Sequence, residues 1–141
     1  MLFRSQTTFY YCIKQADYSS ENSAIGSESC SEPIHHLDYN KILENYFSGP
    51  NSSELLSPFP AGTKLVSFTL DQQTAHIVLS DHFAELSGVD LTVACACLSI
   101  TVENMTNCAT VTISAEKKLL DNQESITIDT KSLLLTDHVH P

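Results

Sequence analysis

This chain has no tryptophan and only four glycines among its 141 residues. With so few glycines there is no glycine-rich phosphate loop. Basic residues are scarce as well: seven Lys and Arg stand against 17 Asp and Glu, for a net charge of −10. Without a basic patch to displace counterions, nucleic acid is excluded as a partner, and so is electrostatic attachment to anionic lipid. No segment is read as approaching the ~18 apolar residues of a membrane span. The Gly-x-Ser-x-Gly and His-Glu-x-x-His patterns are absent too, which removes the usual serine-hydrolase elbow and zinc-protease helix.

What is there is ordinary globular material, 42% apolar and 17% charged, enough for one domain with its own core. The five cysteines, Cys12, Cys30, Cys95, Cys97 and Cys108, are odd in number and irregularly spaced, a poor disulfide framework. A reducing or anaerobic setting fits them better than oxidative export. Met1-Leu2-Phe3-Arg4 leads straight into polar residues, so no signal peptide is read, and composition leaves both a cytosolic chain and a trimmed exported one open.

The chain is organised around Leu86 to Met105. On a 3.6-residue repeat Leu91, Ala94, Cys95, Leu98, Val102 and Met105 form one stripe, and about 17 residues of pattern are too many for a strand of ~5–6. One long buried helix is expected over residues 89–105. A shorter helix follows Asp38, its N-cap, with Tyr39, Ile42, Leu43 and Tyr46 as the apolar stripe and Gly49-Pro50 as the stop.

Strands are expected at Thr7–Lys14, with Phe9, Tyr11 and Ile13 on one face, and at Lys64–Leu70, with Val66, Phe68 and Leu70 on one face. Thr74–Ser80 pairs back across Asp71-Gln72-Gln73, with Ala75, Ile77 and Leu79 on one face. Ser80–Glu85 reads as a single helical turn. Ala109–Ser114 and Ser125–Ile128 are the last strands, before a capped turn at Asp129–Leu135 and a frayed tail. Residues 17–37 read as a long mobile loop. The order β-α-β-β-α-β-β predicts a single α+β domain over residues 1–141, a two-layer sandwich of a mixed or antiparallel sheet with two helices on one face.

No catalytic, metal or cofactor site is assigned. Cys95 and Cys97 lie roughly 200° apart around their helix, and Cys108 sits past its end, so neither they nor the six histidines have zinc-ligand spacing. Cys97, mid-helix among apolar neighbours in an acidic protein, lacks the electropositive setting of a nucleophile. Asp81 and Glu85 form an i, i+4 acidic pair suited to a helix start. The helix also carries apolar residues off its main stripe: Val93, Ala96, Cys97 and Ile100. A helix apolar nearly all round is either covered on both sides or offers a face to a partner, so these four are the candidate interaction surface, for a protein partner or for self-association.

The chain resembles the GerM domain, the sporulation and spore germination domain of endospore-forming bacteria. The resemblance rests on Phe9-Tyr10-Tyr11, on Tyr46-Phe47-Ser48-Gly49-Pro50 and on Ser57-Pro58-Phe59-Pro60-Ala61-Gly62-Thr63-Lys64-Leu65. It continues through Val78-Leu79-Ser80-Asp81-His82-Phe83, the helix Leu91 to Val102 and Leu133-Leu134-Leu135-Thr136-Asp137. It is similar to short, single-domain clostridial lipoprotein-like forms. The resemblance implies a non-catalytic envelope binding or assembly module, extracytoplasmic and membrane-anchored in its precursor, with no cofactor and no family catalytic residue to carry over. Cys12 has no apolar leader before it, so membrane association would need a lipid anchor lying ahead of these residues. Two rival functions are a wall hydrolase acting through Asp81 and Glu85, and a solute-binding module with an enclosed apolar pocket.

Overall fold

A computed structural model describes residues 8–13, 25–29, 39–50, 52–53 and 55–130. The expected N-cap at Asp38, the capped turn beyond residue 130, the C-terminal tail and Cys30 lie outside the described residues. The protein is α+β. Its strands form two sheets: β1 (Thr8–Ile13), β2 (Ile25–Ser29) and β3 (Leu55–Leu56) make one in the order β2-β1-β3. The other holds β4 (Leu65–Asp71), β5 (Thr74–Leu79), β6 (Thr110–Ala115) and β7 (Ile126–Asp129), in that order. The helices are α1 (Tyr39–Phe47) and α2 (Gly88–Thr106), with a 3-10 turn at Asp81–Glu85 before α2.

The pairing explains why α2 must exist. β5 runs parallel to β6, in register from Thr74↔Thr110 to Leu79↔Ala115. Parallel neighbours cannot be joined by a hairpin, so the chain crosses over, and α2 is that crossover. Its 19 residues are apolar enough to pass for a membrane span by length and composition, contrary to the expectation that no segment would. Here that apolarity goes into the core. Leu91, Ala94, Cys95, Leu98 and Val102 are buried in one cluster with Ala75, Ile77 and Leu79 of β5 and Val111 and Ile113 of β6. Truncating a side chain such as Leu98 in such a core costs about 2–5 kcal/mol.

The helix ends follow from local chemistry. Asn107 takes the left-handed conformation at φ 61° and its amide donates to the Glu103 carbonyl, closing α2. Gly49, at φ 108°, takes the same role after α1. At Gly62, φ is 92°, so the backbone favours glycine there, and an added Cβ would push the exposed His82 ring aside from 2.9 Å.

Three expectations are corrected. Residues 17–37 are not loop throughout, because Ile25–Ser29 is a strand paired antiparallel to β1, from Thr8↔Ser29 to Cys12↔Ile25. The expected single layer of strands is divided, since β1 joins β2 and β3 and not the four-stranded sheet. In β4 a register shift between Leu65 and Ser67 leaves Val66 as the bulged residue and exposed; Leu65, opposite Leu79, takes the inner position.

Candidate functional site

Around α2, burial follows the helical period. The arc carrying Leu91, Ala94, Leu98 and Val102 is buried, and so are Cys97 and Thr101 at one margin and Ser99 at the other. The remaining arc holds Val89, Val93, Ala96 and Ile100, spaced i, i+4, i+7 and i+11, which forms a single ridge. Val89 is 77% exposed, and Val93, Ala96 and Ile100 are half-buried. Of the four residues read as a surface, Cys97 is therefore not on it. It is 0% exposed, because the first strand lies along that side of the helix.

The contact between β1 and α2 is specific. The Thr8 amide donates to Asn104 Oδ1 (3.1 Å), and the Tyr10 amide donates to Thr101 Oγ1 (2.9 Å). One step further along the same ladder the Cys12 and Cys97 thiols are neighbours. The neighbouring Cys97 thiol lowers the Cys12 thiol from its ordinary value, against the opposing effects of burial and of Asp90. The same pairing, followed by burial, pushes Cys97 far up. Beside them the buried Tyr46 hydroxyl donates to the Tyr10 carbonyl (2.7 Å), and burial holds its phenol well above the usual range. Cys95, facing the core, is pushed up to about 12 by burial alone.

The acids read as a rival site serve the backbone or solvent. Asp81 Oδ1 accepts the Lys117 amide at 2.7 Å, tying the 3-10 turn to the end of β6, while Glu85 is exposed. Next to them Ser80 Oγ accepts the Lys64 amide (3.0 Å) and lies 3.2 Å from His82 Nδ1. This is a serine beside a histidine, but the serine is spent on holding the start of β4 against the end of β5. Among the described residues, no group of three or more His, Cys, Asp and Glu is placed to hold a metal ion. The outer face of the four-stranded sheet carries a row, Thr69, His76, Thr112 and Thr127, in register across all four strands. The sequence hinted at this row only through the alternation of Thr and Ser along each strand.

Fold and site together define a small α+β module in which a crossover helix is clamped between a mixed sheet and the strand β1, with an apolar ridge on its outer arc. The family model for sporulation and spore germination (Germane) matches residues 10–125, and the chain belongs to that family. Among solved structures, the chain is similar to the first GerMN domain of the sporulation protein GerM from Bacillus subtilis. The two are 14% identical with a TM-score of 0.62, covering 86% of this chain and 92% of that one. The tandem GerMN domains of the same protein match at 13% identity and a TM-score of 0.62, with 86% of this chain and 40% of that one covered. A protein described as a lipoprotein from Clostridium perfringens matches at 18% identity and a TM-score of 0.54, over 94% of this chain and 95% of that one. These structural likenesses show the fold. No curated protein matches the chain.

Proposed function

We propose that this sporulation and germination domain is a non-catalytic module of the cell envelope that works by docking protein, either a second copy of itself or another envelope protein. The observation that supports this reading most is the ridge Val89-Val93-Ala96-Ile100. Apolar side chains at helical spacing, left partly exposed on the most apolar element of an otherwise acidic surface, are what a docking helix presents. An extracytoplasmic position, held by a lipid anchor, is part of the same reading and is supported by the lipoprotein and the sporulation protein that share the fold. A wall hydrolase is the weaker reading, because Asp81 is bonded to the Lys117 amide.

Sedimentation velocity over a range of concentrations tests the ridge. Association that is present in the parent and lost in Ile100→Glu, with the melting temperature kept, is the expected result. A profile identical in parent and variant would remove self-association at this ridge. Release of soluble fragments from purified cell wall by the parent, but not by Glu85→Gln, would overturn the non-catalytic reading.

A further inference from the structure

The contact between β1 and α2 has a repeating step. Two residues along a strand advance about 6.6 Å, and three or four along a helix advance about 4.5–6 Å, so an antiparallel strand and helix stay in step. Thr8 meets Asn104, Tyr10 meets Thr101, and the next pair is Cys12 with Cys97. A threonine hydroxyl reaches one bond past Cβ, so its 2.9 Å bond to the Tyr10 amide draws strand and helix backbones together. A disulfide asks for a close backbone approach of the same kind, a Cα separation of ~4.4–6.8 Å. Cys95 points to the opposite side of α2, and Cys108 lies beyond its end with its amide on Thr106 Oγ1. Cys12 and Cys97 are thus the thiols that this ladder places face to face.

We propose that Cys12 and Cys97 are a reversible dithiol–disulfide pair that staples the first strand to the long helix, a modification separate from the docking role. The two thiols differ in access: Cys12 is half-buried and Cys97 fully buried. Cys12 is therefore the attacking sulfur and Cys97 the resolving one. With an external low-molecular-weight disulfide RSSR as oxidant, the Cys12 thiolate attacks one sulfur of RSSR, forming Cys12–S–S–R and releasing RS⁻. Cys97 then loses its proton and attacks the Cys12 sulfur, displacing the second RS⁻. Two thiols are oxidised, one RSSR is reduced to two RSH, and both protons end on the released thiols. The bond closes well over half of the chain into a loop, which restricts the unfolded state.

The full-length chain is incubated, folded, with oxidised glutathione, then alkylated, digested and analysed by mass spectrometry. The expected product has lost two hydrogens, yields a peptide pair joined through Cys12 and Cys97, and melts higher by roughly 5–15 °C. Cys12→Ser abolishes both the link and the rise; Cys30→Ser and Cys108→Ser keep them. Since Cys97→Ser sits in the core and could cost stability by itself, the half-buried Cys12→Ser variant carries the test. A Cys12–Cys30 link, a persistent glutathione adduct on Cys12, or no product without denaturant would each overturn the proposal.

Discussion

Tyr11 and Tyr46 are stacked, with ring centroids 5.0 Å apart and 30° between planes, and the Tyr11 hydroxyl donates to the Tyr46 carbonyl at 2.8 Å. The Tyr46 hydroxyl returns the bond to the Tyr10 carbonyl at 2.7 Å. β1 and the C-terminal end of α1 therefore satisfy each other's buried backbone, and the stacked rings fill the space between them. Phe9, Phe47 and Phe59 pack around the same Tyr46 ring.

Removing either hydroxyl takes a hydrogen bond out of this junction, although the Tyr46 carbonyl keeps the Gly49 amide at 3.2 Å. Tyr11→Phe and Tyr46→Phe are each expected to cost about 0.5–1.5 kcal/mol in urea unfolding, with an unchanged m-value. Their double mutant should fall short of the sum, because both hydroxyls secure one junction.

Ser99 gives the opposite sign. It is fully buried on α2, and among the described residues its hydroxyl has no hydrogen-bond partner. Ser99→Ala removes that desolvated group and improves helix propensity, so calorimetry should show a gain of about 1 kcal/mol.

Alkaline pH should destabilise the fold. Burial raises Cys95 from 9.0 to about 12 and raises Cys108 in the same direction. A thiol raised on folding contributes fully below its unfolded value, and that contribution is lost as the pH climbs towards the folded value. Stability should thus be flat below about pH 8 and fall above 9, with Cys95 contributing up to about 1.4 kcal/mol per pH unit. Melting curves of Cys95→Val should show a shallower fall over the same window.

Periodicity made the two helices, the β4–β5 hairpin and the core stripe of α2 legible, because each buries one face against something flat. It did not reveal β2: Ile25-Gly26-Ser27-Glu28-Ser29 has no apolar alternation, and it is a strand because β1 offers it an edge. Nor could spacing show what covers the back of α2. Cys97 reads as an outward residue until the amides of Thr8 and Tyr10 bring β1 across it, while Val93, Ala96 and Ile100 lie past the reach of that strand. The bulge at Val66 was hidden for a similar reason, since alternation counts residues and a bulge adds one.

In the proposed function the surface ridge, and not acid chemistry, is what this domain contributes. The most direct measurement replaces the chromosomal copy in the producing bacterium and counts heat-resistant spores and their germination. Val93→Glu with Ile100→Glu, in a protein that keeps its melting temperature, is expected to lower these counts as far as deletion of the gene does, while Asp81→Asn with Glu85→Gln behaves as the parent. The reverse pattern, with the ridge variant normal and the acid variant defective, would contradict it.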